Sequence, residues 1–272
     1  MKELLDEKSI KSVLSEMLLY FKNYCEENGL RFYLCGGTLL GAIRHHGFIP
    51  WDDDIDLAMP RPDYEALLKT IQNHPLDRRY KIVAYENNDL KYPFMKLLDL
   101  STTIESEYIK DDGTSSLWID ILPVDGMPSD KKELKLIQDK LFLLRKKLML
   151  SMAKVGHGRS KIKSILKYFL VPYFRMRGAK NYCDQIMKIA SKYPYSSSEY
   201  VGILTWGLYG EGERMRKTEF EKRCTVVFEN SEYAAMSCWD TYLKGLYGDY
   251  MKLPPEDKRI HHDMVVWKEI EK

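Results

Sequence analysis

Residues 35–60 read CGGTLLGAIRHHGFIPWDDDIDLAMP, and Asp52, Asp53, Asp54 and Asp56 crowd into five of those positions. Carboxylates a few ångström apart repel one another and contribute nothing to a fold. Such a cluster either points into water or surrounds a cation. The stretch DIDLAM alternates at the strand period. That spacing puts Asp54 and Asp56 on one face and Ile55 and Leu57 on the other. Two carboxylates then aim at one point while the apolar pair anchors the strand in a core. A hard divalent cation, which takes oxygen ligands, suits that pair, and magnesium shared with substrate phosphates is the commonest case. The competing reading is a solvated loop ahead of an ordinary strand.

Neighbouring segments bear on the choice. Gly36-Gly37-Thr38 lies between a short β-rich run, residues 31–35, and a helix-like run. Glycine lets backbone approach a phosphate, and a helix start offers N–H groups to it; a tight turn is the alternative. In LWIDILPVDG, residues 117–126, Asp120 stands amid Leu117, Trp118, Ile119, Ile121 and Leu122. A buried unpaired carboxylate is expensive, so Asp120 needs a cation or a donor, and a structural ion pair would serve. Asp125, in Pro-Val-Asp-Gly, is explained by turn chemistry. Lys96, alone in the apolar YPFMKLLD, must face an acidic group or reach solvent.

The rest of the chain sets the class. At 272 residues, 44% apolar, 30% charged and net +2, it has the balance of an ordinary soluble globular protein. Five cysteines without a CxxC pair argue against a disulfide framework or structural zinc and for a reduced, cytoplasmic setting. No run of 18 apolar residues occurs, and the charged start is not that of a signal peptide. Helical spacing predicts helices over 9–28 and 61–74, and a short one after Gly37. Strands are expected at 31–35, 54–59, 80–86, 92–100, 102–108 and 117–126. Residues 129–191 and 231–247 read as helical. The expected fold is α+β: a small mixed sheet flanked by helices over 1–128, then a mainly helical region over 129–272.

Strand, Gly-Gly, helix, a D-x-D strand, then a strand with a third aspartate resembles the nucleotidyltransferase superfamily. More specifically, GGTLLGAIRHHGFIPWDDDIDLAMPRPDYEALL, with WIDILPVDG and the late YGDYMKLPPEDKR, resembles the LicD family, itself similar to the fukutin-type transferases. The resemblance implies a nucleotidyltransferase-like catalytic core. It implies transfer of phosphocholine, or a similar phospho-alcohol, from a CDP-linked donor such as CDP-choline. The acceptor would be a sugar hydroxyl of a lipid-linked bacterial surface glycan precursor, such as teichoic acid or lipopolysaccharide. Asp54, Asp56 and Asp120 are then the expected catalytic and metal-holding carboxylates, with Mg2+ or Mn2+ as cofactor. Asp120 could instead act as the base for the acceptor hydroxyl. Gly36, Gly37, Thr38, Arg44 and Lys96 are expected near the phosphates. His45, Trp51, Asp53, Tyr250, Lys252 and Arg259 are expected to touch donor or acceptor, the late motif forming a loop that closes over the site. A choline head would want an aromatic cage, with Trp51, Trp118, Trp206, Tyr209, Trp239 and Tyr250 as its pool. Two other readings share the residues: a nucleotidyltransferase acting on a small molecule, and a non-catalytic glycan-binding protein.

Residues 141–180 carry eleven Lys or Arg and no Asp or Glu, leaving about −9 on the remainder. Apolar and aromatic residues interleave with these cations, a composition that fits helices lying in an anionic membrane interface. The expectation is peripheral attachment to the inner face of the plasma membrane. No nucleic-acid motif accompanies the charge, so nucleic acid is not expected as a partner.

Overall fold

A computed structural model describes residues 2–105, 112–155, 161–259 and 265–269. In chain order the elements are β1 (Lys2–Leu4), α1 (Glu7–Glu27), β2 (Tyr33–Leu34), α2 (Gly36–His45), β3 (Asp56–Pro60), α3 (Arg61–Asn73), β4 (Tyr80–Val83), β5 (Met95–Asp99), β6 (Thr102–Glu105) and β7 (Leu117–Met127). Then come α4 (Lys131–Met152), α5 (Lys161–Met176), α6 (Ala179–Ala190), β8 (Tyr200–Gly202), β9 (Met215–Arg216), α7 (Lys217–Glu221), β10 (Arg223–Phe228), β11 (Ser231–Met236), α8 (Trp239–Tyr247) and β12 (Val265–Glu269). The α+β class holds.

A seven-stranded mixed sheet runs β2-β3-β7-β5-β4, with β8 and β9 added along the far end of β7. The parallel pair β3–β7 organises the site: Asp56 is the register partner of Asp120. On the other side of β7, antiparallel β5 places Lys96 opposite the same Asp120. Side chains directly opposite in a ladder are in contact range, so strand register alone sets Asp56, Asp120 and Lys96 in a row.

Local signals account for the framing helices. Asp6 caps α1 by accepting the Ser9 N–H at 2.8 Å. The stripe Ile10, Val13, Leu14, Met17, Leu18 and Phe21 is buried, as its helical spacing predicts, and Gly29 stops the helix at φ +67°. Pro62 sits in the first turn of α3, where its missing N–H costs nothing.

Three expectations are corrected. The D-x-D strand begins at Asp56, and Asp54 belongs to the loop before it. Asp125 lies inside β7 rather than in a turn, because β8 extends the ladder there. Residues 231–236 form a strand, not a helix. In RCTVVFENSEYAAM they pair antiparallel with β10, turning at Glu229 with φ +52°, so helix is confined to α8. The expected strand over 102–108 is present to 105, and 106–108 lie outside the described residues. The division at 128 falls between β7 and α4, while the sheet passes across it through β8, and α4, α6, β10, β11 and α8 add buried residues to the core that α1 and the sheet share.

Candidate active site

Asp54, Asp56 and Asp120 line one cavity of about 220 Å³, together with Cys35, Gly36, Trp206, Tyr209, Glu213, Tyr242 and Tyr247. Ile55, between two of the aspartates, is 1% exposed, so it pins the loop while its neighbours turn to the cavity. The Asp120 N–H donates to Ile55 O at 2.9 Å. Thr38 Oγ1 accepts the Asp56 N–H at 2.9 Å. Thr38 therefore positions an aspartate backbone.

The glycines act through close approach. Gly36 has φ +53°, and a Cβ there would stand 3.0 Å from Asp56 Oδ2; at Gly37 a Cβ would stand 2.7 Å from Asp52 Oδ2. Alanine at either position pushes directly against an acidic side chain. The Gly36 N–H itself donates to the Tyr242 hydroxyl at 3.3 Å.

Charge in this cavity is not balanced. Burial, then Asp120 and Asp52, hold the Asp56 carboxyl well above the usual carboxylate range, with Lys96 pulling the other way. Lys96 Nζ lies 2.9 Å from Asp120 Oδ1. It is buried among the rings of Trp118, Tyr92 and Phe94, at 4.1, 5.0 and 5.6 Å from their centroids. The structural ion pair weighed for Asp120 is thus present, and Lys96 meets an acidic group rather than solvent. Among the described residues no group of three or more His, Cys, Asp or Glu side chains forms a ready metal cage. Two side-by-side carboxylates with an all-oxygen donor set still fit magnesium, which is usually held by one or two carboxylates plus substrate phosphates.

Several expected contacts lie outside the cavity lining and do other work. Arg44 donates from Nη1 to Tyr250 O at 2.6 Å and from Nε to His45 Nε2 at 2.9 Å. His45 meets the Trp51 ring edge-on at 6.3 Å, and the Arg259 guanidinium covers that ring at 4.8 Å. Tyr250 donates its hydroxyl to Asp240 at 2.6 Å. The late motif is therefore strapped to the end of α2 and the acidic loop. From it Tyr247 reaches the cavity, whereas Tyr250, Lys252 and Arg259 do not. Asp53 also lies outside the lining.

Glu213 was not legible as a site residue, since GLYGEGE reads as a polar surface loop. In the structure it is 4% exposed. Its Oε1 accepts the N–H groups of Leu208 and Tyr209 at 2.6 and 2.8 Å, and burial pushes its carboxyl up to about 7. Beside it Tyr209 and Tyr247 meet edge to face at 5.2 Å, and Trp206 packs edge-on against Tyr92 and Phe94.

The family model described as LicD/FKTN/FKRP, nucleotidyltransferase domain, matches residues 29–146. The chain is 31% identical over 258 residues to Lipopolysaccharide cholinephosphotransferase LicD of Haemophilus influenzae, covering 92% of this chain and 93% of that one. A shorter stretch of 46 residues is 48% identical to Ribitol 5-phosphate transferase FKRP of Homo sapiens, covering 17% of this chain and 9% of that one. With a near full-length relative at that identity, this chain belongs to the LicD family, a family of phosphotransferases.

Proposed function

We propose that this protein transfers phosphocholine from a CDP-linked donor such as CDP-choline to a sugar hydroxyl of lipopolysaccharide or a similar surface-glycan precursor, teichoic acid included. The near full-length relative named for cholinephosphotransfer to lipopolysaccharide supports the reading. One observation carries it for this chain: a single cavity joins aspartates at the start of the β3–β7 ladder to Trp206, Tyr209, Tyr247 and the Glu213 carboxylate. Aromatic faces and a carboxylate suit a quaternary ammonium, and carboxylates suit a cation shared with phosphates. At about 220 Å³ the cavity is smaller than a pocket that encloses a drug-sized ligand. It takes the phosphocholine end, and the cytidine lies beyond it.

Asp54, Asp56 and Asp120 would hold Mg2+ or Mn2+, which neutralises and orients the phosphates when bound. The chain's own groups do the rest. As the alternative to holding the metal, Asp120, oriented by Lys96, would take the proton of the acceptor hydroxyl. Gly36 and Gly37 leave room for the carboxylates to turn toward the donor. Trp206, Tyr209 and Tyr247 exclude water around the choline methyl groups. Arg44 holds the late motif closed over the acidic loop.

The test is incubation with CDP-choline, magnesium and a lipopolysaccharide acceptor, following CMP. CMP released in step with acceptor labelling is the expected result. Pyrophosphate released from CTP would instead indicate nucleotidyl transfer, and no turnover with any activated nucleotide would indicate a binding protein.

A further inference from the structure

Helix α5 faces the protein with a narrow stripe. Val171 is fully buried, Phe174 and Lys167 are half-buried, and every other described side chain from 165 to 176 is exposed. Residues opposite that stripe ought to be polar in a surface helix. Here Ile165, Phe169, Tyr173 and Met176, spaced by four, four and three, share the outward face. They are 60, 75, 53 and 88% exposed. The helix thus has a second apolar face aimed at solvent.

Charge says what covers it. Of the eleven cations in residues 141–180, two serve the interior. Arg145 donates to the Leu204 and Thr205 carbonyls, and Arg175 to those of Ser151 and Ala153 at the end of α4. Lys146 and Lys147 are exposed one helical turn after the exposed Phe142 and Leu143, and Arg177 is exposed next to Met176. A second copy docking through this face would bring two cationic surfaces together without an intervening anion. A sheet of anionic headgroups over an apolar layer satisfies both features at once.

We propose that the outward face of α5 docks on an anionic lipid surface, the helix lying in its plane. Ile165, Phe169, Tyr173 and Met176 enter the acyl boundary and the flanking cations meet headgroup phosphates. No described helix is long and apolar enough to cross a membrane, which agrees with an in-plane arrangement. None of these residues lines the cavity, so docking and chemistry can be tested separately.

The full-length protein is sedimented with vesicles of phosphatidylglycerol and phosphatidylcholine in equal amounts, and with phosphatidylcholine alone, at low and high salt. Binding to the anionic vesicles at low salt, release at high salt and little binding to phosphatidylcholine are expected. The triple variant Ile165→Ser, Phe169→Ser, Met176→Ser should partition at least about tenfold more weakly. So should Lys146→Gln, Lys147→Gln, Arg177→Gln, which leaves the apolar face intact. Circular dichroism and CMP release onto a water-soluble acceptor should be unchanged in both. Absence of wild-type binding to anionic vesicles at low salt overturns the proposal, as does equal binding by wild type and both variants. A wild-type dimer in sedimentation velocity that the serine variant dissolves would assign the face to a second copy instead.

Discussion

Strands β3 and β7 bury carboxylates at both ends of one parallel ladder, and the two ends are finished differently. At the far end Asp125 is 1% exposed. Arg61, the first residue of α3, holds it with two hydrogen bonds, from Nε at 2.7 Å and Nη2 at 2.8 Å. Charge, geometry and donors are matched within the protein. At the near end Asp56 and Asp120 stand side by side, and Lys96 reaches Asp120 from β5. Asp54 lines the same cavity. A fold able to close one carboxylate with an arginine has left the other end acidic and open to a cavity. Under the proposed function, that contrast separates a carboxylate that holds the sheet together from carboxylates available to a ligand.

The largest effects should come from breaking the open end. Asp120→Asn should lower CMP release by roughly 10² to 10⁴ if it serves as the base, and Asp56→Asn, by weakening phosphate neutralisation, by roughly 10² to 10³ or more. Asp56→Asn should not lower the thermal midpoint of the ligand-free protein much, because it removes repulsion between neighbouring carboxylates, whereas Asp120→Asn also strips buried Lys96 of its partner and should lower it. Near wild-type turnover by either variant at saturating magnesium would remove it from the site.

The closed end should respond in the opposite sense. Asp125→Asn leaves Arg61 buried and unpaired and should cost about 3–5 kcal/mol of stability. Turnover per folded molecule should stay near wild type at low temperature. The paired replacement Arg61→Leu, Asp125→Leu should recover most of that loss, since a well-packed apolar pair is often no worse than a buried ion pair. Urea unfolding measures both. A stable Asp125→Asn that had lost activity would move Asp125 into the catalytic machinery.

How far sequence could distinguish these two ends is instructive. The acidic cluster and the apolar setting of Asp120 were readable because each rests on short-range pattern, while the strand alternation holds only from Asp56 onward, Asp54 lying in the loop before it. Lys96 was readable as a lysine needing an acidic partner, but its partner is fixed by the β5–β7 register, which is long-range. Asp125 was misread because Pro-Val-Asp-Gly has turn composition, and only β8, about 75 residues later in the chain, extends the ladder there. Residues 231–236, the β11 half of a hairpin, read as helix because alanine and methionine outweigh the preceding turn in local propensity. Glu213, Tyr242 and Tyr247 reach the cavity through α8 and the loop before β9, whose packing on α2 leaves no local mark. Of the aromatic pool considered for a choline head, Trp206 and Tyr209 are the two that line the cavity, which only the fold could show.

A smaller effect concerns Glu213, which extends the contrast to the aromatic wall. Burial raises its folded-state value from an ordinary 4.5 to about 7. A carboxyl raised on folding favours the protonated form in the native state. Its stabilising contribution is complete below about 4.5 and is lost as pH rises through about 7. Glu213→Gln keeps an oxygen for the Leu208 and Tyr209 N–H groups and cannot ionise. Relative to that variant, wild type should lose on the order of 1–3 kcal/mol between those pH values. At neutral pH the variant should bind CDP-choline more weakly while CDP affinity hardly changes. Parallel stability–pH curves, or equal losses for both ligands, would make Glu213 a loop brace alone.

The contrast between the two ends is tested most directly by thermal unfolding of wild type, Asp56→Asn and Asp125→Asn, each with and without magnesium plus CDP-choline. The account predicts that Asp56→Asn alone melts at or above wild type and shows little ligand shift. Asp125→Asn should melt well below wild type and gain a shift like that of wild type, following ligand linkage. An Asp56→Asn protein that melts far below wild type yet gains the full shift would contradict it, placing Asp56 among the residues that hold the sheet together and the ligand elsewhere.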